Sequence, residues 1–501
     1  MRNSLHTASI HILDDDSLLN VFYLYRPFLL GEDEDEDDRL IGGNEGWDRE
    51  RWWYKLADVC QRWRNVVLGS AAYLSISLVC TSGTPVAYML ANSPPLPLVV
   101  EYILGEDGTA ENGEAAILAL KQYDRVRHVR LAMPPTSLQK FITTMSDEYS
   151  ILEYLIIWHP LEDKTAILTF PETLQAPHLR HLMLVGFALP MGSRLLTTAV
   201  GLVTLSLSML NPSTYFHPNT LLQWLSLMPQ LETFRISFDF PDRSRRMGGQ
   251  FTHTAPVTLP NLRVFTFSGV TAYLEALLYR ISAPRLEKLR IGFFNQLTFS
   301  VPRLLHFVGT TENLRFKTAQ FKFSDRNVGV GVYPREDAEM YTISIVVNCY
   351  HLDWQVSSAA PITIALGPMF SAVEQLTVAH EVHGQSSEEH NEVDRNEWRK
   401  LLYSFRNVKT LRVAEGLVEE LTRCLQLDDG ELPLELLPEL QELIYIASGD
   451  AFTSFVEARK VVGRSITVLR RSPNPDSSSR VPPEPPSIIS ASGDAGSNLD
   501  P

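Results

Sequence analysis

Ala176-Pro177-His178-Leu179-Arg180-His181-Leu182-Met183-Leu184 places a proline just ahead of three leucines spaced by three and then by two residues. The final step of two puts Leu182 and Leu184 on one face of an extended strand, with the proline just before it. The same triplet recurs as Val126/Val129/Leu131, Leu152/Leu155/Ile157, Leu202/Leu205/Leu207, Leu231/Phe234/Ile236, Leu262/Phe265/Phe267 and Leu286/Leu289/Ile291. It returns as Val373/Leu376/Val378 and Val408/Leu411/Val413, and less regularly as Leu440/Leu443/Tyr445. Pro229, Pro260, Pro284 and Pro438 repeat the placement of Pro177.

From Val126 to Leu286 the first positions lie 26, 27, 23, 29, 31 and 24 residues apart. That interval leaves room for a helix between strands and predicts an α/β chain, a leucine-rich-repeat-like solenoid with a parallel sheet. One strand–helix unit cannot bury its own apolar face, so neighbours must stack. The other arrangement open to these residues is a large α/β domain with leucine-rich strands.

Around this array the pattern changes. Arg315–Phe323 and Tyr341–Val347 alternate with period two and are expected to be strands flanking a turn through Gly329, Gly331 and Pro334, a small hairpin excursion. Ala72–Cys80 alternates like a strand, and Ser93–Val100 is a proline-broken turn into another. Past residue 470 the composition shifts to Pro, Ser, Gly and Asp, and 471–501 is expected to be disordered.

At the other end, Ile10–Leu30 is expected to be helical. Asp14, Asp15 and Asp16 supply a cap and negative charge at its start, Leu18, Phe22, Tyr25 and Leu29 repeat at helical spacing beside Leu19, and Pro27 ends it. Seven consecutive carboxylates, Glu32–Asp38, fall within a solvated loop insertion at 31–46. Trp52–Arg64 then reads as one helix, with Trp53, Leu56, Cys60, Trp63 and Val67 on a single stripe.

The chain has 501 residues, 45% of them hydrophobic, and carries 59 acidic against 44 basic side chains for a net charge of −15. That balance argues against a nucleic-acid-binding protein. Cys60, Cys80, Cys349 and Cys424 form no CxxC pair and are expected to be free thiols in a reducing compartment. Without a secretory leader or an apolar run of about 18 residues, a soluble intracellular protein is expected. Catalytic patterns fail on spacing: His380-Glu381-Val382-His383 has one residue too few for HExxH, and Gly329-Val330-Gly331 lacks a third glycine and a phosphate-cradling lysine. No GxSxG is present. The expectation is a protein that is not an enzyme, with no catalytic, cofactor-binding or metal residues.

Leu13, Leu18-Leu19-Asn20-Val21-Phe22 and Leu56-Ala57-Asp58-Val59-Cys60-Gln61-Arg62-Trp63-Arg64 resemble an F-box. The continuation through Leu78–Pro85, Pro94–Leu98, Glu392–Trp398 and Asn407–Val413 is similar to F-box-like proteins of mushroom-forming fungi. Two features depart from the family pattern: Asp14 stands where proline is usual, and the insertion lengthens the gap between the F-box helices. The resemblance implies an F-box domain at 8–70, a repeat domain at 71–470, and a substrate receptor of a Skp–cullin–F-box ubiquitin ligase in the cytoplasm or nucleus. Leu13, Leu18, Leu19, Phe22, Trp53, Leu56, Val59, Cys60, Trp63 and Arg64 would dock the Skp-type adaptor, and through it a cullin. Arg62 and Arg64 would steer the acidic adaptor from the rim, and the repeats would hold a target protein. The rival is a non-ubiquitin repeat scaffold whose first helices merely cap the solenoid; an uncharacterised hydrolase is a third, weaker alternative.

Overall fold

The computed structural model describes residues 13–26, 51–103, 111–159, 168–210, 216–238, 255–294, 300–381 and 394–471, apart from 312, 315, 335–340, 428–431, 433 and 448. The acidic insertion, the tail beyond 471 and His383 lie outside the described residues. The chain is mixed α/β, built on mostly parallel sheet, and divides into two compact units. One comprises Met1–Leu179 with Gly192–Thr198, the other Arg180–Met191 with Ala199–Val481.

The first unit opens with α1 (Asp15–Tyr25), α2 (Trp52–Ala57) and α3 (Gln61–Gly69). The Asp14 carboxylate accepts from the Ser17 N–H (2.7 Å), capping α1 as its sequence predicts, and this bond lowers the Asp14 pKa. The helix stops at Tyr25, two residues short of Pro27. The Trp52–Arg64 stretch, in contrast, is two helices. Asp58 ends α2, and Cys60 takes an extended backbone as the N-cap of α3. The three-and-four spacing continues across this break although the chain direction changes there, so periodicity alone missed it. The expected strand at Ala72–Cys80 also shortens. Ala71–Leu74 is a helical turn, Ser75 bends the chain at φ 52°, and only Leu78–Cys80 is strand.

Four parallel strands follow in the order β1 (Leu78–Cys80), β2 (Leu98–Ile103), β3 (Val126–Ala132), β4 (Tyr154–Trp158). The connecting helices Val86–Asn92, Glu111–Leu120 and Pro135–Thr144 pack on one another in succession.

The second unit continues with β5 (His181–Val185), β6 (Thr204–Leu210), β7 (Thr233–Phe238), β8 (Val264–Gly269) and β9 (Lys288–Phe293), two-residue strands being left unnumbered. These five lie side by side in chain order, all parallel. Their register aligns the repeated triplet: Leu182, Leu205, Phe234, Phe265 and Leu289 are successive partners, as are Leu184, Leu207, Ile236, Phe267 and Ile291. The prolines now have a local reason. Leu231, Leu262, Leu286 and Leu440 each donate their N–H to the carbonyl three residues earlier, at Met228, Leu259, Ala283 and Leu437. Pro229, Pro260, Pro284 and Pro438 therefore sit second in these turns, where a fixed φ is preferred.

The irregular middle is a three-stranded meander, β10 (Thr318–Ser324), β11 (Asn327–Tyr333) and β12 (Ile343–Asn348), inserted in reverse so that the order runs β9-β12-β11-β10. Of these, β11 alone is antiparallel to its neighbours. Gly329 and Gly331 are inside β11 rather than in a turn, because Val328, Val330 and Val332 carry its buried face. The turn is at Asp325–Arg326, where the Ser324 hydroxyl accepts from the Asn327 N–H (3.2 Å). Parallel pairing resumes with β13 (Gln375–Glu381), β14 (Thr410–Val413), β15 (Glu442–Ile446) and the edge strand β16 (Thr467–Arg471).

Along β7, β8, β9 and β11, buried residues alternate with half-exposed ones. One sheet face is therefore sealed and the other open, whereas parallel sheets are usually covered on both. The intervening helices pack in series, Pro218–Ser226 on Thr271–Leu278 and that on Pro302–Thr310; Leu352–Ala365 then packs on Arg395–Leu402 and that on Val418–Leu425. Stacked Phe234 and Phe265 (5.3 Å) and the fully buried Trp398 against Phe323 (5.3 Å) mark the core. All four cysteines are free; Cys80, Cys349 and Cys424 are buried and Cys60 half-buried. Burial pushes the Cys80 and Cys349 thiols up to about 11, which makes them poor nucleophiles.

Candidate protein-interaction site

The helices of the first unit divide their apolar residues between two tasks. Leu18 and Phe22, one turn apart on α1, are buried, and the Phe22 ring meets Trp63 of α3 edge-on at 4.8 Å. Arg62 fastens the pair from outside. Its guanidinium donates to the Asp15 carboxylate (2.8 Å) and to the Leu13 carbonyl, so this arginine is engaged within the chain. Arg64 stands half-exposed near Asp58 (3.8 Å).

Helix α2 faces the other way, onto the edge strand β1. Trp53 is 5% exposed, and its Nε1–H donates to the carbonyl of Ser77 (3.0 Å). Arg51 donates to the Thr81 hydroxyl (2.8 Å). Burial raises the Tyr54 phenol pKa, opposed by a hydrogen bond to the backbone at Val79. Contacts at residues 77, 79 and 81 follow the strand's period of two, so α2 lies along β1 and covers a sheet edge.

The ten residues expected to dock an adaptor thus separate. Leu18, Phe22, Trp53 and Leu56 are buried within the chain; Leu13, Leu19, Cys60, Trp63 and Arg64 are half-exposed; Val59 is 56% exposed. Sequence reasoning missed other exposed apolar side chains on these helices, Val21, Tyr23 and Leu24, the last 81% exposed. Their signal was a helix face apolar beyond the stripe that Leu18 and Phe22 define.

A second missed feature lies on the strands of the first unit. Glu101 of β2 and Arg130 of β3 are register partners, both buried, with an ion pair at 3.3 Å. Arg130 also lies over the Trp158 ring (5.3 Å). Desolvation pushes the Glu101 carboxyl up to about 7, against the pull of Arg130 and Arg51.

Among the described residues no group of His, Cys, Asp and Glu is placed to hold a metal ion, and no helix is long and apolar enough to cross a membrane. Comparison with known proteins finds no family model that matches the chain and no curated protein that matches it.

Proposed function

We propose that this protein is a substrate-recognition adaptor of a Skp–cullin–F-box ubiquitin ligase, with its first helices docking a Skp-type adaptor and its repeats holding a target protein. The observation that supports this reading is the surface of α1 and α3. Phe22 and Trp63 form an aromatic seam, Val21 and Leu24 of α1 and Val59 in the break before α3 are exposed, and Leu19 and Trp63 are half-exposed. Apolar side chains left outside on short helices mark a surface for another molecule. Covering each one contributes roughly 1.5–3 kcal/mol before the costs of association. Under this reading Leu18, Phe22, Trp53 and Leu56 shape the surface from within rather than touching the adaptor. The repeats resemble a solenoid in their aligned triplets and one open sheet face, the kind of surface on which such arrays bind partners.

Co-expression with a Skp-type adaptor tests the proposal. The wild-type chain is expected to co-purify with it, and Val59→Asp combined with Trp63→Ala is expected to abolish co-purification while the circular dichroism spectrum stays unchanged. A folded wild-type chain that captures no such adaptor overturns the reading.

One observation favours a second reading, in which the helices only cap the array. Contacts from Arg51, Trp53 and Tyr54 along β1 are those of an edge cover. If capping is the whole role, the Val59→Asp, Trp63→Ala pair changes no association, and Trp53→Phe lowers stability alone.

A further inference from the structure

The last strand of the second unit ends its sheet without cover. Leu376, Leu411, Leu443 and Val468 are successive register partners on β13, β14, β15 and β16. The three leucines are fully buried, but Val468 is 38% exposed, because among the described residues no further unit stacks on it. Leu469, on the other face of β16, is 44% exposed. A stacked array needs its terminal apolar face closed, and these two side chains leave it open.

The backbone of β16 is open as well. Thr467 donates its N–H to the Gln441 carbonyl (2.8 Å), and the Arg471 carbonyl accepts from the Ala447 N–H (3.3 Å). The odd-numbered residues of β16 therefore bond to β15, and Val468 and Arg470 turn their N–H and C=O groups to the outer edge. Among the described residues no strand pairs with that edge. Charge is concentrated here too. Thr453–Arg471 contains Arg459, Lys460, Arg464, Arg470 and Arg471 against Glu457 alone, in a chain of net charge −15. Arg464 and Arg470 already pair with Glu439 (3.7 Å) and Asp450 (2.8 Å), and Arg459 is held by carbonyls. Arg471 is exposed and has no carboxylate partner among the described residues.

We infer that β16 takes up one further strand from a partner protein, an extended segment with apolar residues opposite Val468 and Leu469 and a carboxylate opposite Arg471. Main-chain bonds to Val468 and Arg470 hold such a segment, and the cross-strand contacts select it. Charge complementarity decides between occupants. A second copy of β16 brings Arg470 and Arg471 again and no carboxylate, and arginines on an edge strand hinder self-pairing. In the tail beyond Arg471, the apolar pair Ile488-Ile489 has Pro486 and Ala491 two residues to either side, where a carboxylate is needed. This inference goes beyond the adaptor reading and stands without it.

The test is fluorescence anisotropy on the full chain with a labelled peptide of two adjacent valines, a threonine on each side of the pair and a glutamate beyond each threonine. Wild type is expected to bind it. Val468→Pro removes an outward donor but no bond to β15, and should weaken binding at least about tenfold. Arg471→Glu should weaken it at least about fivefold. Arg263→Gln, at an exposed cation paired with Glu287 on β8 and β9 flanks, should leave affinity unchanged. Variants with wild-type circular dichroism are compared. Two peptides N-methylated on opposite alternate sets of amides should differ, one losing binding and the other keeping it, a contrast that charge attraction alone would not produce. No binding by wild type, equal binding of the two methylated peptides, or a wild-type dimer in sedimentation that Val468→Pro dissolves overturns the inference.

Discussion

Glu101 carries the clearest pH signature at the scale of single residues. Its carboxyl titrates near 7 in the fold against an ordinary 4.5, because burial disfavours the charged form more than Arg130 restores it. The folded state therefore holds the extra proton between these two values, and stability falls as pH rises through that window. Below it the contribution is flat, above it the full cost applies, and each pH unit between is worth about 1.4 kcal/mol at most. Urea unfolding across pH 4 to 8 should show this slope in wild type and lose it in Glu101→Gln. Arg459 is a second buried charge. It is fully buried and donates to the carbonyls of Leu437, Pro438 and Leu440 (3.1, 2.9 and 3.2 Å), pinning the turn ahead of β15. Arg459→Met keeps the stem but leaves the Pro438 and Leu440 carbonyls without this donor, while Leu437 retains the Leu440 N–H, and should cost about 2–4 kcal/mol by urea denaturation.

Whole elements respond to substitutions at their close approaches. At the end of β8 a Cβ on Gly269 would stand 2.8 Å from the Phe238 ring and 3.0 Å from that of Phe267, both buried. Gly269→Ala should therefore destabilise the second unit by about 1–3 kcal/mol through overpacking, read as a lower midpoint at unchanged m-value. Helix α2 offers the complementary case. Trp53→Phe keeps an aromatic ring but loses buried volume and the donor to Ser77, leaving a buried carbonyl short of its partner, and should cost about 1–3 kcal/mol. These two positions were differently visible in sequence. Trp53 stood out by its size and spacing. Gly269 did not, and Gly329 and Gly331 of β11 looked like turn residues, because a missing side chain carries no sign of which packing it serves.

For the molecule as a whole, local stability should follow cover. The interior strands β7 to β9 have one sealed face and partners on both edges, whereas β16 is an edge strand exposed at every residue. Hydrogen exchange is expected to be slowest in β7 to β9 and fastest, among the strands, in β16, since exchange reports the openings each segment undergoes. Equal protection in β8 and β16 would contradict this ordering. The alternation that leaves one face open also explains why polar and charged residues survive between the leucines of the triplets. They face water, and Arg235 and Arg290 sit among them.

Local patterns were enough to indicate the mostly parallel α/β character, the proline ahead of each short strand and the cap at Asp14, because each depends on residues a few positions apart. Contacts between distant segments decided the break at Asp58–Cys60, the reversed meander, the ion pair of Glu101 and Arg130, and which apolar side chains of the first helices stay outside. Periodicity states that a residue belongs on a buried face; only the arrival of a partner segment, such as β1 beneath Trp53, determines what buries it.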